Sequence, residues 1–70
     1  MSIEKGKRYE SKQDPGRVVQ VKHAYPVMFD GETRNFTIEV IANEKNPKTV
    51  GRRTTVTEKT LTTRYIELSH

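Results

Sequence analysis

The chain has no cysteine and no tryptophan, and it is poor in large apolar residues. Without cysteine it has no disulfide framework, no thiolate metal site and no thiol nucleophile. Leu, Ile, Val and Phe make up 15 of its 70 residues, just above the level of about 20% at which disorder becomes the better prediction. The sequence therefore predicts one domain over residues 1–70 with a small core, which a homo-oligomer would enlarge.

Catalytic and cofactor-binding patterns are also missing. The two histidines, His23 and His70, are far apart, and no carboxylates are clustered at metal-ligand spacing. The four glycines are dispersed, so neither a phosphate loop nor a dinucleotide fingerprint is present. We predict a protein that is not an enzyme and has no cofactor or metal.

No apolar run approaches the roughly 20 residues that a membrane span needs. The first six residues lack the apolar region of a signal peptide. The expectation is a cytoplasmic protein with no membrane partner, whose residues 1–6 form a loose arm.

A modest positive charge is spread over the whole chain. Thirteen Lys and Arg against nine Asp and Glu give +4 at pH 7, and both halves carry the same excess. This balance suits a phosphate-binding surface or an acidic protein partner, and it equally suits a surface that only confers solubility.

Two segments in the middle of the chain alternate as β-strands. Arg17–Ala24 places Val19, Val21 and His23 on one face. The second segment, residues 36–42, has four inward positions. These are Phe36, Ile38, Val40 and Ala42.

The last third of the chain, Gly51–Leu68, predicts a strand, one helical turn and a second strand. Val56 is its best core candidate, and Leu61 is expected to plug the fold. In the final strand Ile66 should face inward and Tyr65 outward.

These elements predict an all-β fold, a small five-stranded antiparallel barrel with one short 3₁₀ turn before the last strand. Residues 56–68 carry the strand, turn and strand that resemble the SH3-like barrel group, in which such a turn joins the fourth and fifth strands. Most of the chain also resembles short uncharacterised proteins of bacteria and their phages. The shared positions are Tyr9, Asp14-Pro15, Gly16-Arg17, Gly51-Arg52 and Arg64-Tyr65.

The SH3-like resemblance implies binding, but peptide-binding SH3 domains grip proline-rich ligands with aromatic residues that include a tryptophan. This chain has none, which disfavours such ligands. One remaining hypothesis is nucleic-acid binding, with cations on phosphates and a tyrosine stacked on bases. The candidate residues are Arg17, Lys22, Arg52, Arg53, Arg64 and Tyr65.

The second hypothesis is a phage-type interaction module that docks on a host protein through an exposed strand edge or the apolar run Val27–Phe29. Met28 and Phe29 would then be exposed anchors, residue types that are enriched in interfaces. The structural alternative is that this run forms a further core segment. The sequence alone leaves both interpretations open.

Overall fold

The computed structural model describes residues 3–68, which form one antiparallel sheet of five strands, a short α-helix and a 3₁₀ turn. The elements are β1 (Arg8–Ser11), β2 (Arg17–Ala24), β3 (Asn35–Asn43), the 3₁₀ turn (Pro47–Thr49), β4 (Arg53–Thr57), α1 (Glu58–Arg64) and β5 (Tyr65–Leu68). The strand order across the sheet is β4-β3-β2-β1-β5, and every neighbouring pair is antiparallel. The predicted all-β class with five antiparallel strands is confirmed.

The core lies on one face of the sheet, under α1. Side chains alternate along β2 and β3, so that every second residue in the middle of each strand is buried. The buried apolar residues of the described part are Ile3, Tyr9, Val19, Val21, Phe36, Ile38, Val40 and Leu61. The predicted inward positions Phe36, Ile38 and Val40 are confirmed, as is Leu61, whereas Val56 is only partly buried against the core.

The predicted inward position of His23 is wrong, because the register shifts within β2. Val21 pairs with Ile38 and His23 pairs with Thr37, so Lys22 is an extra residue in the ladder. A bulge of this kind reverses the side-chain alternation beyond it. His23 is therefore exposed, opposite the expected face, and Ala24 packs against the core in its place.

A second register shift affects Ala42, which was expected inside. Val18 pairs with Ala42 and Val19 with Val40, which leaves Ile41 as the extra residue on β3. Ala42 is consequently exposed. Simple alternation overestimates the buried length of a strand wherever such a bulge ends it.

The connection before the last strand is an α-helix of seven residues and not a single 3₁₀ turn. Thr57 caps it, because its Oγ1 accepts a hydrogen bond from the amide of Thr60. Glu58 in the first turn and Arg64 in the last complement the helix dipole. The 3₁₀ turn lies between β3 and β4, where Pro47 suits its first position.

The sheet is open and does not close into a barrel. β4 and β5 are its two edges, and no pairing joins them within residues 3–68. At about 1.5 Å per residue, the seven residues of α1 advance roughly 10 Å, enough to carry the chain from one edge toward the other. α1 is thus the connection between the two edge strands, and it packs on the core through Leu61.

The start of the chain is attached to the sheet, contrary to the expected loose arm. Ile3 is buried in the core, and the amide of Gly6 donates a 2.8 Å hydrogen bond to the carbonyl of Val21. Because the chain has few large apolar residues, burial of Ile3 is a sizeable part of the hydrophobic stabilisation of the core. The expectation is therefore wrong for residues 3–6, while residues 1 and 2 lie outside the described part.

Candidate functional site

An extension of the β2–β3 hairpin projects beyond the core, and we call residues 25–34 the arm. Backbone hydrogen bonds continue the ladder past the strand ends, from the Tyr25 amide to the Asn35 carbonyl and from the Met28 amide to the Thr33 carbonyl, at 3.0 and 2.8 Å. The arm is therefore an ordered hairpin extension. The molecule as a whole is elongated, at 38 × 20 × 20 Å.

Asp30 organises the turn at the end of the arm. Its Oδ1 accepts hydrogen bonds of 2.9 Å from the amides of Glu32 and Thr33, and its Oδ2 accepts a 2.6 Å bond from the Thr33 hydroxyl. Gly31 has a positive φ of 77°, which this reversal requires. Hydrogen bonds to the charged form, first from the Thr33 hydroxyl and then from the two amides, lower the pKa of Asp30.

The arm carries large apolar side chains that do not reach the core, and we call Tyr25, Val27, Met28 and Phe29 the apolar tip. Phe29 is 100% exposed, and Tyr25, Val27 and Met28 are exposed as well. Met28 and Phe29 are thus surface residues and not a further core segment. Several exposed apolar residues close together in the sequence of a small protein are characteristic of an interaction site.

We predict that Asp30→Ala loosens the turn and leaves the core intact. Hydrogen exchange at the Thr33 amide should accelerate, while the thermal midpoint stays nearly unchanged because Asp30 is fully exposed. Lowering the pH should loosen the turn in wild type as well: the folded pKa of Asp30 lies below its ordinary value of 3.8, so the contribution is present above that value and is lost as pH falls through the folded pKa. The protection of the Thr33 amide relative to its intrinsic exchange rate at each pH should then fall. Unchanged exchange at Thr33, measured by NMR, would contradict the role given to Asp30.

The cations predicted to bind nucleic acid are dispersed over the sheet. Arg17 begins β2, opposite Asn43, whereas Lys22 lies in the bulge toward the arm. Arg53 faces outward as expected, but its Nε is 2.7 Å from Glu39 Oε1, so a carboxylate offsets part of its charge. Two of these residues thus lie at opposite ends of one strand, and a third is in an ion pair.

Arg52 and Arg64 lie toward opposite edges of the molecule. The Arg52 carbonyl accepts a hydrogen bond from the Val40 amide at the β4 edge, and Arg64 ends α1 beside β5. Both side chains are exposed. The predicted set therefore does not form a single surface.

Tyr65 faces the core side of the sheet and not the solvent side. β5 pairs with β1 such that Tyr65 lies opposite the buried Ser11 and Ile66 lies opposite Glu10. Tyr65 packs against the core, while Ile66 is 53% exposed. The expected orientation of β5 is wrong, and base stacking on an outward Tyr65 loses its structural basis.

A different pair of cations is brought together where β1 leaves the sheet. The Lys12 amide donates a 3.0 Å hydrogen bond to the Arg64 carbonyl, which fixes the two chain segments side by side. An open cleft of about 420 Å³ lies here, and we call it the basic cleft. It is lined by Lys12, Gln13, Thr63 and Arg64. Sequence reasoning missed Lys12, because residues 52 positions apart become neighbours only through the β1–β5 pairing.

Nothing in the described part has the ligand set of a metal site: residues 3–68 contain no group of three or more His, Cys, Asp or Glu placed to hold an ion. The same residues include no helix long and apolar enough to cross a membrane. Comparison with protein-family models, with curated proteins and with solved structures finds no match. The SH3-like resemblance stays a prediction, and function has to be argued from the arm and the basic cleft.

Proposed function

We propose that the protein is a non-enzymatic interaction module that docks on a partner protein through the apolar tip. The observation that carries this proposal is the complete exposure of Phe29 on an arm held by backbone hydrogen bonds. A chain with so few large apolar residues places one of its two phenylalanines where it contributes nothing to the core. Burying Phe29 in a partner would contribute hydrophobic stabilisation that its exposed side chain does not contribute in the free protein.

The energetic gain from such docking is substantial for a small surface. Fully burying a phenylalanine or methionine side chain contributes about 1.5–3 kcal/mol each. The Asp30 turn and the continued ladder hold the tip in one conformation before binding, so little ordering entropy opposes association. Aromatic residues and methionine are also the types enriched in interface centres.

The charges beside the tip indicate the chemistry of the partner. Asp30 and Glu32 follow Phe29 at the turn, and together with Arg34 they give the arm a net charge of −1, although the whole chain is positive. The complementary surface is a protein with an apolar pocket bordered by Lys or Arg. An anionic lipid surface would repel the two carboxylates, which disfavours a membrane as the docking surface.

The test uses the full chain as bait in extracts of its source cells, with two matched variants. Phe29→Ser removes the proposed anchor, and Ile66→Ser removes an exposed apolar side chain on the sheet. We expect one partner that is retained by wild type and by Ile66→Ser and is lost with Phe29→Ser. The purified partner should bind Phe29→Ser at least about 30-fold more weakly, as for an anchor contributing 2 kcal/mol or more.

Three results would reject the proposal. One is recovery of the same proteins by all three baits, and a second is a purified partner that binds Phe29→Ser as tightly as wild type. Capture of the chain's own copies alone would also reject it, because the tip would then serve self-association. Circular dichroism of each variant establishes that the fold is retained.

A further inference from the structure

The basic cleft is a second candidate site, separate from the apolar tip. The charged side chains that line it are all cations. Two of its four lining residues are the cations Lys12 and Arg64, and the other two, Gln13 and Thr63, are neutral hydrogen-bond donors. No carboxylate is among these lining residues. The nearest acidic residue in sequence is Asp14, in the β1–β2 turn, whose amide bonds to the Ser11 hydroxyl.

Unlike Lys7 and Arg53, the two cations of the cleft have no acidic partner within residues 3–68. Elsewhere Lys7 pairs with Glu67 at 2.8 Å and Arg53 pairs with Glu39 at 2.7 Å. Within residues 3–68, neither Lys12 nor Arg64 takes part in an ion pair. Two adjacent like charges without a counter-charge favour an anionic ligand.

Arg17 adds a third cation at the same end of the sheet. Tyr9 pairs with Val19 and Glu10 with Val18, so continuing the register places Arg17 opposite Ser11, next to Lys12. Arg17 and Arg64 were both predicted from sequence as nucleic-acid contacts, but only Arg64 lines the cleft. Lys22, Arg52 and Arg53 lie elsewhere.

We propose that the basic cleft binds the phosphate backbone of nucleic acid. Lys12 and Arg64 would contact successive phosphates, and Gln13 and Thr63 would donate hydrogen bonds to phosphate or sugar oxygens. The cleft volume of about 420 Å³ suits a nucleotide-sized group. Because Tyr65 packs against the core, binding depends on charge and not on base stacking, so it is weak, sequence-independent and sensitive to salt.

The experiment measures fluorescence anisotropy of a labelled oligothymidylate of about 12 nucleotides, a length that exceeds most single-domain sites. Wild type is compared with Lys12→Ala/Arg64→Ala and with Lys45→Ala/Lys48→Ala. The second double variant removes the same charge from exposed positions in the β3–β4 connection. With about two phosphate contacts, the wild-type salt slope should be near −1.4.

We expect the cleft variant to bind at least about tenfold more weakly at about 50 mM salt and to lose most of the salt slope, while the control variant binds like wild type. Equal weakening by both variants would reject the cleft, because it would show a response to net charge alone. No binding by wild type also rejects the proposal. Phe29→Ser should bind the oligonucleotide like wild type. A negative result for the basic cleft therefore leaves the proposal for the apolar tip unaffected, and a negative result for the tip leaves the cleft unaffected.

Discussion

Replacing Leu61 with alanine is expected to destabilise the protein by about 2–5 kcal/mol, as for other Leu-to-Ala changes in cores. Leu61 is 0% exposed and is the buried residue of α1, so the helix is held on the sheet chiefly through this side chain. A chain of 70 residues has a total stability of roughly 3.5–10 kcal/mol. The variant should therefore lose a large part of the stability of the fold, and at the lower end of that range it would be unfolded at physiological temperature.

Urea unfolding followed by circular dichroism measures this effect, and Thr62→Ala is the matched control. Thr62 is exposed, and its hydroxyl donates to the Glu58 carbonyl within the helix, so alanine there should change stability by less than about 0.5 kcal/mol. An unchanged unfolding midpoint for Leu61→Ala would mean that this residue does not hold the helix on the sheet, and the role given to Leu61 in the core would be wrong.

The position of Leu61 could be predicted from sequence because it is the sole large apolar residue between Val56 and Tyr65. Any compact arrangement of that segment has to bury it. The length of the helix could not be predicted in the same way. Threonines on both sides of Leu61 have weak helix propensity, and the helix forms because a Thr57 cap and core packing outweigh that tendency.

The orientation of β5 shows a limit of alternation patterns. Tyr65, Ile66, Glu67 and Leu68 alternate, which indicates two faces but does not determine which face is covered. Pairing with β1 decides the question, since it places Tyr65 beside Ser11 on the core side. Tyrosine can fill such a position at the margin of a core while its hydroxyl remains near solvent.

The arm was ambiguous in sequence for a related reason. Val27, Met28 and Phe29 have the composition of a short buried strand, and only tertiary structure shows that no apolar surface covers them. The Asp30-Gly31 turn can be predicted from sequence, because an Asp-Gly pair favours a chain reversal through local hydrogen bonds and a positive φ at glycine. The turn at the end of the arm could thus be predicted from sequence, whereas the exposure of Val27, Met28 and Phe29 could not.

Replacing Phe36 with alanine should have an effect of about 3–5 kcal/mol, the usual range for a buried phenylalanine. Phe36 is 0% exposed and lies between Ala24 and Val56 on the neighbouring strands. The Arg34 guanidinium also lies over its ring, 5.3 Å from the centroid, and would lose a cation–π contact of about 0.5–2 kcal/mol. The thermal midpoint should fall by more than about 12 °C, at 4–8 °C per kcal/mol for a domain of this size.

The second phenylalanine supplies a matched comparison for this prediction. Phe29→Ala removes the same atoms from a side chain that is 100% exposed, so its thermal midpoint should stay within a few degrees of wild type. A large loss of stability in Phe29→Ala would show that the apolar tip packs on the protein itself and is not free to dock. A large loss in Phe36→Ala with none in Phe29→Ala would separate the residue that holds the fold from the one available to a partner.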